Sequence, residues 1–294
     1  MPEGSEVREA DPLGIVVEGG GCRAIYAAGV LDVFDAAEPL MREVKGVLGV
    51  SAGAIHAASF VSRQRGRSLR IYERFAPDER FGSFRRWLRT GCVIDRDFCF
   101  REIPDALEPY DHEAFARRTM RFFAGVTNLE TGKAEFPELT DMRRDIDLLA
   151  ASTALPYVMP AVRWQGKAFV DDGGCADRVP AAAFEAMGFT RQIAVLTRPE
   201  GDSVRDRDAW LAPWIYRKYP AFVRAFQKSG EAYDLAQEHL KRREEEGKVF
   251  VIRPKAPLGV PRITHDAAEI RRAWEAGRRD AQEAMPRLLE WLGR

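Results

Sequence analysis

Apolar positions near the start of the chain fall into short unbroken runs, each closed by glycine. Leu13-Gly14-Ile15-Val16-Val17 leads into Gly19-Gly20-Gly21-Cys22-Arg23, and Val44-Lys45-Gly46-Val47-Leu48 leads into Gly49-Val50-Ser51-Ala52-Gly53. Such runs predict strands covered on both faces, as in a parallel sheet, here Ile15–Glu18 and Val44–Val50. After each glycine turn the period becomes helical. Ile25, Ala28, Val30, Leu31 and Phe34 share one face of Arg23–Ala37, and Ala54–Ser62 opens a second helix. Strand, turn and helix, repeated with short connections, imply parallel pairing through a right-handed crossover. Both glycine turns then lie at the carboxyl ends of strands, where open α/β sheets place their sites.

The pattern changes over residues 67–115, where Phe, Trp, Arg, Pro and Asp interleave, as in Phe81-Gly82-Ser83-Phe84-Arg85-Arg86-Trp87-Leu88-Arg89. Two readings stand: surface helices with snorkelling arginines, or a cap that meets lipid with an aromatic and basic face. Strand character returns at Arg121–Asn128, followed by a turn at Glu130-Thr131-Gly132-Lys133. Ile146–Ala154 reads as a short helix or loop. Ala161–Trp164 and Ala168–Val170 flank Gln165-Gly166-Lys167 as a hairpin that ends in Asp171-Asp172-Gly173-Gly174. Arg191–Thr197 is a further strand. Helical spacing then dominates: one long helix over Ala221–Glu246, a late edge strand at Val249–Arg253, and one or two helices over His265–Leu292.

Composition narrows the class. The 294 residues carry 45 basic and 45 acidic side chains, 46% hydrophobic content and 31% charge. These values describe an ordinary globular protein, with no net charge to draw nucleic acid. Met1–Asp11 is polar without an apolar core, so no secretory signal is expected. No apolar run reaches the roughly 20 residues of a membrane span. Cys22, Cys92, Cys99 and Cys175 lack metal-ligand spacing and read as reduced thiols of a cytoplasmic protein. No metal or cofactor is expected.

Gly49-Val50-Ser51-Ala52-Gly53 is a G-x-S-x-G pattern between a buried strand and an apolar helix, the setting in which a strained turn presents a serine hydroxyl. Gly19-Gly20-Gly21 supplies backbone N–H groups at a helix start, a cradle for an oxyanion. Gly19, Gly21 and Ala24 also fit a relaxed dinucleotide fingerprint. That reading wants an acid at the end of the second strand, where this chain has Gly49-Val50-Ser51. A serine needs a base, and His56, His112, His239 and His265 all sit in helical or charged surroundings without a motif. A carboxylate acting directly on the serine is the alternative, and Asp172-Gly173-Gly174 supplies one.

Together and in this order, Gly19-Gly20-Gly21-Cys22-Arg23, Gly49-Val50-Ser51-Ala52-Gly53 and Asp172-Gly173-Gly174 resemble the patatin-like phospholipases. A bacterial branch of that family is echoed further by Ala27-Ala28-Gly29-Val30-Leu31-Asp32, Val126-Thr127-Asn128 and Ala151-Ser152-Thr153-Ala154-Leu155-Pro156. The resemblance implies an α/β fold: a three-layer α/β/α core on a mostly parallel sheet, with a C-terminal helical extension. It implies a serine acyl hydrolase of lipid carboxylic esters that works through a Ser-Asp dyad without histidine. Ser51 would be the nucleophile and Asp172 the base, Gly20 and Gly21 the oxyanion donors. Gly19, Arg23, Gly49, Gly53, Gly173 and Gly174 would support them. The adjacent Asp171 is set aside because the family aspartate directly precedes the two glycines; neighbours in an extended segment point opposite ways, so one of the two faces Ser51. Ala24 departs from the glycine common in the family and requires an ordinary helical φ.

The expected organisation is a flexible tail over residues 1–12, an acyl hydrolase domain over 13–200 with 67–115 as its cap region, and an extension over 201–294 packed on the core. The expected partner is a lipid ester, met in the cytoplasm or at a membrane surface, and not nucleic acid. Two other classes remain open: a lipid-binding or regulatory protein on the same fold with little turnover, and a dinucleotide-binding oxidoreductase.

Overall fold

A computed structural model describes residues 11–204 and 209–293. Eight strands form the sheet: β1 (Leu13–Val17), β2 (Val44–Val50), β3 (Arg121–Asn128), β4 (Ala134–Glu135), β5 (Val162–Trp164), β6 (Lys167–Asp171), β7 (Arg191–Val195) and β8 (Val249–Ile252). Their order is β5-β6-β3-β2-β1-β7-β8, with β4 on β3 beside that path. From β3 to β8 the pairing is parallel; β4, β5 and β6 run antiparallel. The sheet is therefore mostly parallel, and its first two strands are those that the apolar runs predict.

Six helices position the rest: α1 (Ile25–Phe34), α2 (Ala52–Val61), α3 (Arg67–Phe75), α4 (Met142–Ser152), α5 (Ser229–Glu245) and α6 (Ala267–Leu292). Strand alternation sorts the core into two layers. Ile15, Val17, Val47, Phe122 and Phe169 face α1, α2, α4 and α6, whereas Val16, Leu48, Val50, Phe123 and Ala194 face Ala181–Ala186 and α5. Each such Val, Leu, Ile or Phe side chain gains roughly 1.5–3 kcal/mol by leaving water. A one-residue slip of a strand would exchange its two buried faces and lose that match.

The C-terminal region belongs to this core. Gly29 of α1 faces the Trp274 carbonyl, and Gly277 of α6 faces the Tyr26 carbonyl, at distances that leave no room for a β-carbon. Two side-chain bonds flank this close crossing, Tyr26 Oη to Asp280 at 2.8 Å and Trp274 Nε1 to Asp32 at 2.8 Å. The single helix α6 continues through Pro286. The long helix expected over 221–246 is divided instead: Pro220–Gln227 ends at Lys228, and α5 begins at Ser229. Gly230 packs on the Val204 carbonyl there, and the break directs the first piece onto a separate apolar cluster with Phe222 and Phe226. Of the expected N-terminal tail, residues 1–10 lie outside the described residues, and Asp11 pairs with Lys248 at 3.0 Å.

Residues 67–115 fold as short helices, α3, Phe84–Thr90, Phe98–Leu107 and His112–Ala116. Arginines lie over aromatic rings, Arg80 on Phe98 at 3.8 Å and Arg74 on Phe75 at 4.9 Å. The inner faces meanwhile wall a cavity above Ser51.

Candidate active site

Ser51 occupies the turn between β2 and α2 with φ 56° and ψ −133°, a conformation that L-residues rarely adopt. The flanking glycines make it possible by close approach. A β-carbon on Gly49 would lie 2.5 Å from Ala54 Cα, and one on Gly53 would lie 2.5 Å from the Val17 carbonyl and 2.7 Å from that of Glu18. The tight turn holds the serine hydroxyl clear of both elements. Its amide is also held: Ser51 N donates to Ser152 Oγ at 2.9 Å, and Ser152 Oγ donates to the Gly125 carbonyl at 2.8 Å. Ser152, at the end of α4, thus ties the elbow to β3.

The carboxylate on Ser51 is Asp171, not Asp172. Ser51 Oγ donates to Asp171 Oδ2 at 2.7 Å, while Asp171 Oδ1 accepts from the Gly173 amide at 2.7 Å. The reason lies in the register of β6. Asp171 pairs with Val126 of β3, and alternation places it with Phe169 on the face covered by α2 and α4. Asp172 begins the next turn and points away. Its Oδ1 accepts from Thr127 Oγ1 at 2.6 Å and from the Asp177 amide at 3.0 Å. Its Oδ2 has no hydrogen-bond partner among the described residues. One aspartate therefore faces the serine, as the alternation argument requires, but it is the one that precedes the family motif.

Burial acts on both acids. It pushes the Asp171 carboxyl up to about 6, against hydrogen bonds from Ser51 and Gly173 that favour the charged form. Asp172 is raised well above the ordinary carboxylate range, first by burial and then by the neighbouring Asp177 charge. Asp172 is thus held toward its neutral form, and Asp171 is the acid ionised near neutral pH.

The glycine turn lies beside this pair. Gly20 (φ 149°) and Gly21 (φ 61°) adopt backbone that favours glycine, and both line a small cavity of about 30 Å³ with Ser51, Asp171 and Gly173. Thr197 Oγ1 fixes the Gly19 carbonyl at 2.8 Å. The Gly20 and Gly21 amides donate to no protein acceptor among the described residues. Ala24 has the ordinary helical φ it needs, −65°. Arg23 lies over Gly20: a β-carbon there would sit 2.9 Å from its Nη2.

No histidine bonds either Ser51 or Asp171. His56 is buried behind the elbow against Ser68 Oγ at 3.0 Å, and burial lowers its pKa to about 3. His265 reaches the Ala76 carbonyl, and His239 sits 3.4 Å from Glu185. Among the described residues, no group of three or more metal-ligating side chains converges.

A second, larger cavity of about 530 Å³ opens from Ser51 along apolar walls that include Ile55, Ile71, Phe100, Ile146 and Met159. Sequence reasoning missed two contributors to the site. Ser152 lies within a quoted motif, but nothing local to it signals the bond to an amide 101 residues away. Arg262, a lone arginine in coil, accepts the Cys22 amide on its carbonyl at 2.9 Å, packs on Gly21 and lines both cavities.

Comparison with known proteins identifies the family. The family model for patatin-like phospholipases matches residues 15–185, and that of a domain of unknown function, DUF6363, matches residues 219–293. The chain is 24% identical over 274 residues to the uncharacterized protein YjjU of Escherichia coli (strain K12), covering 90% of this chain and 75% of that one. It is also similar to the crystal structure of VipD from Legionella pneumophila, with a TM-score of 0.47 and 13% identity over 93% of this chain and 66% of that one. With more than half its length matched by the first of these models, the chain belongs to the patatin-like phospholipase family.

Proposed function

We propose that this protein is a serine acyl hydrolase of lipid esters, with Ser51 as nucleophile, Asp171 as general base and the Gly20 and Gly21 amides as oxyanion donors. The observation that carries the reading is the 2.7 Å bond from Ser51 Oγ to Asp171 Oδ2 at a strained strand-to-helix turn. Family membership supports lipid acyl hydrolysis in general. The large apolar cavity that opens from Ser51 suits an acyl chain.

As Ser51 Oγ bonds to the ester carbonyl carbon, its proton passes to Asp171, and the carbonyl oxygen becomes an oxyanion beside Gly20 and Gly21. Collapse breaks the carbon–oxygen bond to the alcohol, which leaves with the proton from Asp171. Water then gives a proton to Asp171 as its oxygen attacks the acyl-enzyme. Collapse of that second intermediate releases the fatty acid and returns the proton to Ser51 Oγ. Loss of one oxyanion donor in such a site costs ~2.7–4 kcal/mol of transition-state stabilisation.

No described helix is long and apolar enough to cross a membrane. Lipid would be met instead at the surface, where Phe84 (62% exposed) and Leu88 (68%) stand beside the exposed Arg85 and Arg89. Labelling with a fluorophosphonate tests the assignment. Mass mapping should find the adduct on Ser51 in the wild type and none in Ser51→Ala. A folded wild type that neither labels nor hydrolyses any ester would favour a lipid-binding or regulatory role.

A further inference from the structure

Trp210 (67% exposed), Trp214 (78%) and Ile215 (54%) stand in water within one short stretch. Their neighbours face inward. Ala212 is buried, and Tyr216 and Tyr219 pack on the apolar cluster of Phe222, Val223 and Phe226. Folding thus fixes this segment while leaving two indoles outside, and exposed apolar clusters of this kind mark interaction surfaces. Charge follows the same stretch. Residues 209–230 contain Arg217, Lys218, Arg224 and Lys228 and no acid. All four are exposed and pair with no carboxylate among the described residues. The turn packed on Ala221 brings Glu130 and Lys133, whose charges offset each other.

One residue joins this stretch to the exposed Phe84 and Leu88. Trp87 stacks on Phe84 with ring centres 4.9 Å apart and donates its Nε1 to the Tyr157 carbonyl at 3.2 Å. The Tyr157 amide donates to Tyr216 Oη at 2.9 Å. Tyr157 holds φ 70°, a strained value for a residue with a β-carbon, and each segment takes one of its backbone polar groups. Arg85 and Arg89 share Glu79, at 3.4 and 2.8 Å, so the free positive charge comes mainly from residues 217–228. On either side of Tyr157, Leu155 and Met159 line the cavity that opens from Ser51.

We infer that residues 209–218 and the Phe84–Leu88 turn form one docking face for a membrane surface that carries anionic lipid. Trp210, Trp214, Ile215, Phe84 and Leu88 enter the interface, where indole rings are favoured. Arg217 and Lys218 meet the negative surface, and Arg224 and Lys228 add to the attraction that draws the protein there. Apolar burial alone would suit any bilayer; the unpaired cations select an anionic one. Residues 209–218 lie outside both family matches, 15–185 and 219–293. Docking through them needs no turnover at Ser51.

The test is read in Ser51→Ala, so that no hydrolysis alters the lipid. The protein is mixed with vesicles of phosphatidylcholine, alone or with phosphatidylglycerol. Binding is read by flotation and by tryptophan emission, with brominated acyl chains as quencher. Binding to the mixed vesicles should be the tighter, should fall with added salt, and should shift emission to the blue and quench it. Arg217→Gln combined with Lys218→Gln should lower the partition coefficient on mixed vesicles about tenfold or more. Trp210→Ser combined with Trp214→Ser should lower it on both compositions and remove the shift. Leu289→Ser, at the end of α6 that packs on β8, should change neither. Quenching of the unsubstituted indoles decides the matter even where a variant fails to fold. No binding, or binding indifferent to lipid charge or to these four side chains, would overturn the inference and leave the proposed hydrolase standing. A dimer in light scattering with its tryptophans already shielded would give the face to a second copy of the chain. Capture of polyglutamate without vesicles would give it to an acidic protein, and either result overturns the membrane assignment. Vesicle binding by a wild type that cleaves no ester would instead remove the hydrolase and keep the docking face.

Discussion

The adjacent aspartates make opposite predictions for one small change. In Asp171→Asn the side chain keeps its shape, and its carbonyl oxygen can still accept the Gly173 amide. The atom facing Ser51 Oγ across 2.7 Å, however, can no longer take a proton. Hydrolysis should fall at least about 100–10,000-fold, the usual worth of a general base. The fold should gain. Raising a buried carboxyl from 3.8 to about 6 makes its ionisation cost about 3 kcal/mol at pH 7, since each pKa unit is worth about 1.36 kcal/mol. Because the folded-state value is the higher one, this cost is absent below pH 4, grows as pH rises through about 6 and is constant above it. Asp171→Asn should therefore melt several degrees above wild type at pH 8 and level with it at pH 4. Asp172→Asn is the partner measurement. It disturbs the Thr127 and Asp177 bonds but not Ser51, so it should keep serine labelling. Thermal melts at the two pH values, beside ester hydrolysis and fluorophosphonate labelling, read all of this. Active Asp171→Asn beside inactive, folded Asp172→Asn would refute the reasoning and give the base role to Asp172.

Other expectations follow from the same geometry. The pH profile of kcat/KM should rise through about 6 as Asp171 ionises; a flat profile from pH 5 to 8 would remove Asp171 from the rate. Ser152→Ala strands the Ser51 amide and the Gly125 carbonyl. It should cost about 1–3 kcal/mol in denaturant unfolding and lower kcat; unchanged stability and rate would deny it a positioning role. Gly277→Val pushes a β-carbon bearing two methyl groups into the Tyr26 carbonyl and should destabilise by about 1–3 kcal/mol or prevent folding, read by soluble yield and denaturation midpoint. His265→Ala should retain hydrolysis, since its ring meets a backbone carbonyl away from Ser51; a folded but inactive variant would reinstate a histidine base.

Much of this fold is legible from punctuation. The β2 and β3 boundaries follow directly from apolar runs that end at glycine or turn residues. The elbow is readable because only small residues survive the contacts at Gly49 and Gly53. The hairpin of β5 and β6 turns at Gln165 and Gly166, both with positive φ. The choice between Asp171 and Asp172 is a different matter. It depends on strand parity, set by where β6 pairs with β3, and a motif at the strand's last residue carries no parity of its own. The break at Lys228 has no proline to announce it. Ser152 and Arg262 act on residues far away in sequence, one through a hydroxyl and the other partly through a backbone carbonyl, and a carbonyl leaves no trace in residue type.

The bond from Cys22 to Arg262 joins positions about 240 residues apart. Chain order makes the glycine turn among the first pieces synthesised and its brace among the late ones, so this bond closes a loop of most of the chain, at an entropy cost that grows slowly with its length. A nascent chain that has already formed β1, β2 and the serine elbow still lacks the brace on its glycine turn. On the proposed reading, competence to attack an ester arrives only with the segment that closes this bond.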